Sequence, residues 1–339
     1  MGKQKGIMAQ LFRLTEKFKS LESVAEQLLP MVDRKSLPHL SIEELNDLPE
    51  DDRVYISRWL TNRQQPTGIN SYTPIESCND VTSEVRYMLG RAYIEYRKNK
   101  QRDLNGTLLP KADRINIVEI DVIFFERDSG IDVIICTPDN HINKVKALIS
   151  DDNISKKNAN KTITSDEFYW LYYRYSIDSK VLNDDITLIN ITSFTGNIFD
   201  EHHTISGTSD STTDLIVTKS FVCSGSNPFT NMKISIAIGF IVIDFLVNRK
   251  SDIRVDVESG IPPELMEVSK KIALPLYLLS YLLPKLRELY ENDAFTDDLK
   301  IKVDFSKMLG LEVINAIMSH NNISVEELLL CDSSMVSAE

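Results

Sequence analysis

The stretch Ile115–Cys136 constrains this chain most. It reads INIVEIDVIFF, then ERDSG, then IDVIIC. Val118, Ile120 and Val122 alternate with Glu119 and Asp121, and β-branched residues dominate both arms. A period of two puts the valines and isoleucine on a core face and the acids on the other. Arg127-Asp128-Ser129-Gly130 is a turn between strands Ile115–Phe125 and Ile131–Cys136. A hairpin here commits the middle of the chain to an antiparallel sheet.

Further strands are expected at Asp185–Phe194, Lys233–Ile238, Phe240–Val247 and Asp252–Glu258. Gly239 and Asn248–Ser251 break the last three into a meander. Helices are expected at Pro138–Ile149 and at Ser165–Ser176, the latter capped by Ser165 with Asp166 and Glu167 in its first turn. Leu215–Cys223 also reads as a helix, with Ser209 and Asp210 as caps and Gly225 as a stop.

Towards the N-terminus, Ile7, Leu11, Leu14, Phe18, Leu21, Ala25 and Leu28 recur at helical steps, so 7–29 reads as a helix. Ser41 with Glu44 has capping-box spacing. Val54–Leu60 and Thr82–Arg102 are likewise expected to be helical. Pro262-Pro263 opens a helical region to about Leu330.

The fold class is therefore α+β: a mixed, mostly antiparallel sheet core with a hairpin and a three-strand meander, flanked by N-terminal and C-terminal helices. The expected organisation is an N-terminal helical region at 1–62, a linker at 63–80, an α+β core domain at 81–260, a helical region at 261–330 and a polar tail at 331–339.

Composition narrows the function. With 38 basic and 50 acidic residues the net charge is −12, which argues against broad coating of a nucleic-acid backbone or docking on anionic membranes. Cys78, Cys136, Cys223 and Cys331 form no C-x-x-C pair and fit free thiols in a reducing cytosol. The apolar runs Ile234–Val247 and Ile272–Leu286 are too short for a membrane span. No membrane insertion and a cytoplasmic location are expected.

Asp200, Glu201, His202 and His203 are the right residue types for zinc, manganese or iron. In an extended segment Asp200 and His202 share one side and Glu201 and His203 the other, so at most two reach one ion. A polar connecting loop explains the same residues. A divalent metal is the one cofactor this cluster suggests; otherwise none is expected. Glu119, Asp121 and Asp132 are strand carboxylates of the kind that hold magnesium in nucleases, although alternation alone also accounts for them.

Between Arg86 and Arg114 there are eight basic and three acidic residues, interleaved with Tyr87, Tyr93 and Tyr96. Arg86, Arg91, Arg97, Lys98, Lys100 and Arg102 are the candidate contacts to nucleic acid or phosphate. A helix with a solvated basic face has the same sequence.

FYWLYYRYS (168–176) puts aromatics on every face of its helix, and LPLYLLSYLLPKLRELY (274–290) is apolar nearly all round. Trp170, Tyr173, Leu278, Tyr281 and Leu282 are the candidate interface residues; deep burial is the competing explanation. Nucleophile-elbow and dinucleotide motifs are absent.

The leading reading is a cytoplasmic, oligomeric binding, sensor or adaptor protein within a larger complex, with a homo-oligomer and another protein as partners and no enzymatic activity. The alternatives are a metal-dependent nuclease or hydrolase using acids of 119–132 and 200–203, and a nucleic-acid-binding component using segment 86–114.

Overall fold

The computed structural model describes residues 6–37, 40–60, 68–75, 84–128, 130–156, 163–177, 179–197, 204–208, 214–223, 229–250 and 252–327. The chain forms two compact units, residues 1–162 with 250–284, and residues 163–249 with 285–339.

The first unit contains β1 (Gly6–Arg13), α1 (Leu21–Gln27), β2 (Val32–Ser36), α2 (Ile42–Asn46), β3 (Val54–Trp59), β4 (Ile69–Tyr72), β5 (Val85–Arg97), α3 (Lys111–Arg114), β6 (Ile115–Arg127), β7 (Gly130–Cys136) and α4 (Asp139–Ile149). The chain then enters the second unit with α5 (Ser165–Ser176), β8 (Ile186–Asn197), β9 (Thr204–Thr208), α6 (Ile216–Cys223), β10 (Phe229–Ile238) and β11 (Ile241–Asn248). It returns to the first for β12 (Asp252–Asp256) and α7 (Lys270–Tyr277). A π-helical turn, Leu278–Leu282, leads through α8 (Leu283–Glu291) to α9 (Ala294–Asp297) and α10 (Leu299–Asn321) in the second unit.

In the first unit the strand order is β2-β3-β5-β6-β7-β1-β12, with β4 also on β5. Every pairing is antiparallel. The expected hairpin is present as β6–β7, with Phe125 opposite Asp132 and Asp121 opposite Cys136. One sheet face presents Phe12, Trp59, Met88, Ala92, Ile120, Val122, Phe124 and Val133 to Leu21, Val24 and Leu28 of α1 and Ile142, Val145 and Leu148 of α4, in one buried cluster. The other face packs on α7 through β1, β6, β7 and β12. A sheet covered on both faces has no need of polar residues at alternate positions, which is why Ile131, Val133, Ile134 and Ile135 are all buried.

The second unit holds the order β11-β10-β8-β9, also antiparallel. Helix α5 lies on β8 and β10 and buries Phe168, Trp170, Leu171 and Tyr172. Thr164, not Ser165, caps it: the Thr164 hydroxyl accepts from the Glu167 N–H, and the Glu167 carboxylate accepts from the Thr164 N–H.

The α+β class and the antiparallel pairing are as the sequence implies, and so are α4, α6 and the Ser41–Glu44 capping box of α2. Three expected helices are instead strands. Within 7–29, β1 precedes the short helix α1; the stretch 54–60 forms β3; the described part of 82–102 forms β5 over Val85–Arg97. In β1, Ile7, Ala9 and Leu11 satisfy a period of two as well as helical steps, and pairing on both edges with β7 and β12 decides the conformation. In β5, Tyr87, Tyr93, Tyr96 and Ile94 favour a strand, and its thirteen residues pair with β3, β4 and β6. Part of the expected linker, Ile69–Tyr72, is likewise paired as β4. Ser209, Asp210, Gly225 and the tail 331–339 lie outside the described residues.

The π-helical turn lies between Pro275 and Pro284. A π pattern leaves the Leu279 carbonyl facing Pro284, which has no N–H to give it. Arg127 Nη1 donates to that carbonyl instead, at 3.2 Å. No helix among the described residues is long and apolar enough to cross a membrane.

Candidate functional site: an acidic cleft beside strand β5

In the first unit a cleft of about 980 Å³ opens where β5 and β6 run beneath the segment leading into α7. Pocket volumes of this order hold small ligands or side chains of a partner. Tyr87, Leu89 and Arg91 line it from β5, Glu119 and Asp121 from β6, Asn70 and Ser71 from β4. Glu264, Met266, Glu267, Val268 and Ser269 line it from above.

Strand register explains the floor. Arg91 stands opposite Asp121, and Tyr93 opposite Glu119. Arg91 Nε donates to Asp121 Oδ1 at 3.0 Å, and its Nη1 is 3.8 Å from Glu119 Oε2. One guanidinium is therefore shared by two partly exposed carboxylates. Glu264 adds a third carboxylate. Its Oε1 accepts from the Ile75 N–H at 2.7 Å, while Oε2, shielded from solvent, has no hydrogen-bond partner among the described residues. With Glu267, four carboxylates face one guanidinium. Leu60, Tyr87, Leu89, Met266, Val268 and Ile272 make the walls partly apolar.

Behind the cleft, the Tyr72 hydroxyl and Ser280 Oγ are 2.7 Å apart, and Ser280 Oγ donates to the Leu276 carbonyl at 2.6 Å. Burial, with a smaller contribution from the Glu264 charge, pushes the Tyr72 phenol well up and keeps it neutral; the Ser280 bond opposes this. Burial also raises Tyr87.

The residues singled out in the sequence are placed as follows. Asp200, Glu201, His202 and His203 lie outside the described residues. Among the described residues, no three His, Cys, Asp or Glu side chains are grouped to hold a metal ion. Asp121 and Asp132 project from the same sheet face, but the register sets them four residue pairs apart, about 13 Å along the strands. Asp132 is buried between Arg13, at 3.0 Å, and Arg127, at 2.6 Å. His141 sits against Tyr96 and Lys144, and its imidazole is held below the usual range by burial and by the Lys144 charge.

The basic residues do not form a helical stripe. Alternation on β5 sends Arg86 to the face opposite Arg91 and Arg97. Arg86 pairs with Glu22 and Glu126, both at 2.9 Å, and Arg102 with Glu44. Lys98 Nζ donates to the Ala112 carbonyl, and Arg97 and Lys100 are exposed.

The interface candidates are accounted for inside the chain. Trp170, Leu278 and Leu282 are buried, as is Tyr281; Trp170 Nε1 donates to Asp293 Oδ2 at 3.0 Å, and the half-buried Tyr173 ring stacks on Phe295 at 4.5 Å. A helix apolar all round is a core helix here.

The cleft was missed because its parts are brought together only by strand register and by the return of the chain at Pro262-Pro263. The one sequence signal pointing to it is the alternating pair Glu119 and Asp121, on the strand face away from the α1–α4 core. Cys136 and Cys223 are free thiols, and burial beside Asp121 pushes the Cys136 thiol far up, away from nucleophilic use. No protein-family model and no curated protein matches this chain.

Proposed function

We propose that this protein is a binding module whose cleft receives a basic peptide segment of a partner protein. The observation that carries this reading is Glu264 Oε2, a shielded acceptor that has no donor among the described residues, set in a cleft whose described lining has four carboxylates and one guanidinium. A lysine or arginine head supplies the missing donor and the compensating charge, and its methylene stem fits the partly apolar walls. The reading matches a non-enzymatic adaptor. The nucleic-acid alternative has less support, because Arg86, Arg91 and Arg102 are engaged by carboxylates of the same chain.

The test is calorimetric titration of the full chain with amidated peptides alternating arginine or lysine with leucine, against matched glutamate peptides. Binding of the basic peptides is expected, weakening as salt is raised. Glu264→Gln lowers affinity by roughly 10-fold or more, the size of a lost charge-assisted hydrogen bond. Equal binding of basic and acidic peptides, or an unchanged affinity in Glu264→Gln, overturns the reading.

A further inference from the structure

Helix α10 has two apolar faces. The first carries Phe305, Leu309 and Val313, which are buried; Phe305 meets the rings of Tyr169, Tyr172 and Tyr173, and α6 packs alongside. The second carries Leu299, Val303, Ile314 and Ile317, with Gly310 among them and Leu311 on its flank. These side chains are exposed: 74% for Leu299, 56% for Val303, 51% for Leu311, 44% for Ile314 and 46% for Ile317. At 3.6 residues per turn they form one stripe, separate from the buried face.

One pair of this stripe is symmetric about its glycine. Gly310 is the central residue of Leu299–Asn321, and Val303 and Ile317 each lie seven residues from it. A side chain at Gly310 would meet nothing within 4 Å, so the glycine is not required by packing inside the chain. A glycine in a helix interior is unfavourable in itself, and here it leaves a notch at the midpoint of an apolar stripe.

We propose that α10 pairs antiparallel with α10 of a second copy of this chain, about a twofold axis passing beside Gly310. Turning the helix end for end about Gly310 places Val303 of each copy against Ile317 of the other. The facing glycines let the helix axes approach to about 8 Å, the near end of the usual range. Such an interface is isologous, each copy offering the same patch.

Two further considerations select a second copy in this orientation. The five exposed side chains offer roughly 500 Å² on each copy, so two copies bury at most about 1,000 Å², the low end for a specific interface. Antiparallel pairing also opposes the helix dipoles and moves each Lys307 about 9 Å along the axis from its counterpart, whereas parallel pairing sets the two lysines side by side.

Sedimentation velocity of the full chain over about 1–100 µM tests the proposal; that range brackets a modest helix-pair interface. A reversible dimer is expected, and Ile314→Glu with Ile317→Glu weakens it at least 10-fold with an unchanged circular dichroism spectrum. In a background with the native cysteines replaced by serine, oxidised Gly310→Cys cross-links to itself. Val303→Cys does not, but cross-links when mixed with Ile317→Cys. A monomer throughout the range overturns the proposal and leaves the stripe to a different partner. A dimer that survives the double glutamate variant, or self-cross-linking of Val303→Cys, overturns it equally.

Discussion

Gly130 lies directly against the guanidinium of Arg13: a methyl group added there would stand 2.2 Å from Arg13 Nη2. Arg13 crosses Gly130 to reach Asp132 at 3.0 Å and donates to the Arg127 carbonyl at 2.9 Å. Asp132 is fully buried and ion-pairs also with Arg127. Removing it strands two arginines near the core. Asp132→Ala is expected to cost about 3–5 kcal/mol, measured by urea unfolding. Gly130→Ala is expected to destabilise in the same assay by displacing Arg13 from the pair. An Asp132→Ala loss below about 1 kcal/mol would show that the cluster is fully solvated.

Among the described residues, Arg91 is the only cation lining the cleft, and it neutralises Asp121 and part of Glu119. Arg91→Met releases both carboxylates. Basic peptides should then bind more tightly, by roughly 3–10-fold at low salt. Folding stability should change by less than about 1 kcal/mol, because the pair is half-exposed. A weaker affinity in the calorimeter would mean that Arg91 itself contacts the ligand.

Alkaline pH should unfold the protein before ordinary surface titration would. Burial raises the phenols of Tyr72 and Tyr172 well above their usual value of 10.0, and that of Tyr169 to about 12. The native state therefore keeps protons that the unfolded chain releases. The stability they contribute is fully present below pH 10 and is lost as pH rises through the native values. Each phenol adds a slope of up to about 1.4 kcal/mol per pH unit in that window. Urea midpoints compared between pH 8 and 11 check this, and Tyr172→Phe should flatten the decline.

Two glycines should respond in opposite directions. A side chain at Gly90 meets Phe124 at 3.1 Å and Trp59 at 3.2 Å, where those rings pack edge to face. Gly90→Val is expected to destabilise by about 1–3 kcal/mol through overpacking. Gly310→Ala meets open space and is expected to stabilise the isolated chain by about 0.5–1 kcal/mol. Thermal unfolding at low protein concentration separates the two.

The hairpin β6–β7 and helix α4 were legible because their patterns admit one period and their ends carry turn residues. Strands β1 and β5 were not. Ile7 to Phe18 fits two periods at once, and in β5 the buried face carries Gly90 while the half-exposed face carries Leu89 and Tyr93, so polarity does not alternate cleanly along it. The candidate site was illegible for a different reason. Arg91, Asp121 and Glu264 come from three distant stretches, and no local spacing encodes that Glu264 returns over β5. By contrast the apolar segment 274–290 announced its burial directly: Leu274, Leu276, Leu278, Leu279, Leu282 and Leu286 are all buried.

The order of synthesis meets a difficulty in the first unit. β1 pairs on one side with β7, but its other neighbour is β12, with Gly6 opposite Asp256. During translation β1 waits for a strand that emerges long after it, with the second unit's strands made in between. Until then β1 presents an open edge able to template another nascent chain. The protein's hazard is thus kinetic and early, and a chaperone that shields β1 co-translationally would act at the place where this topology is weakest.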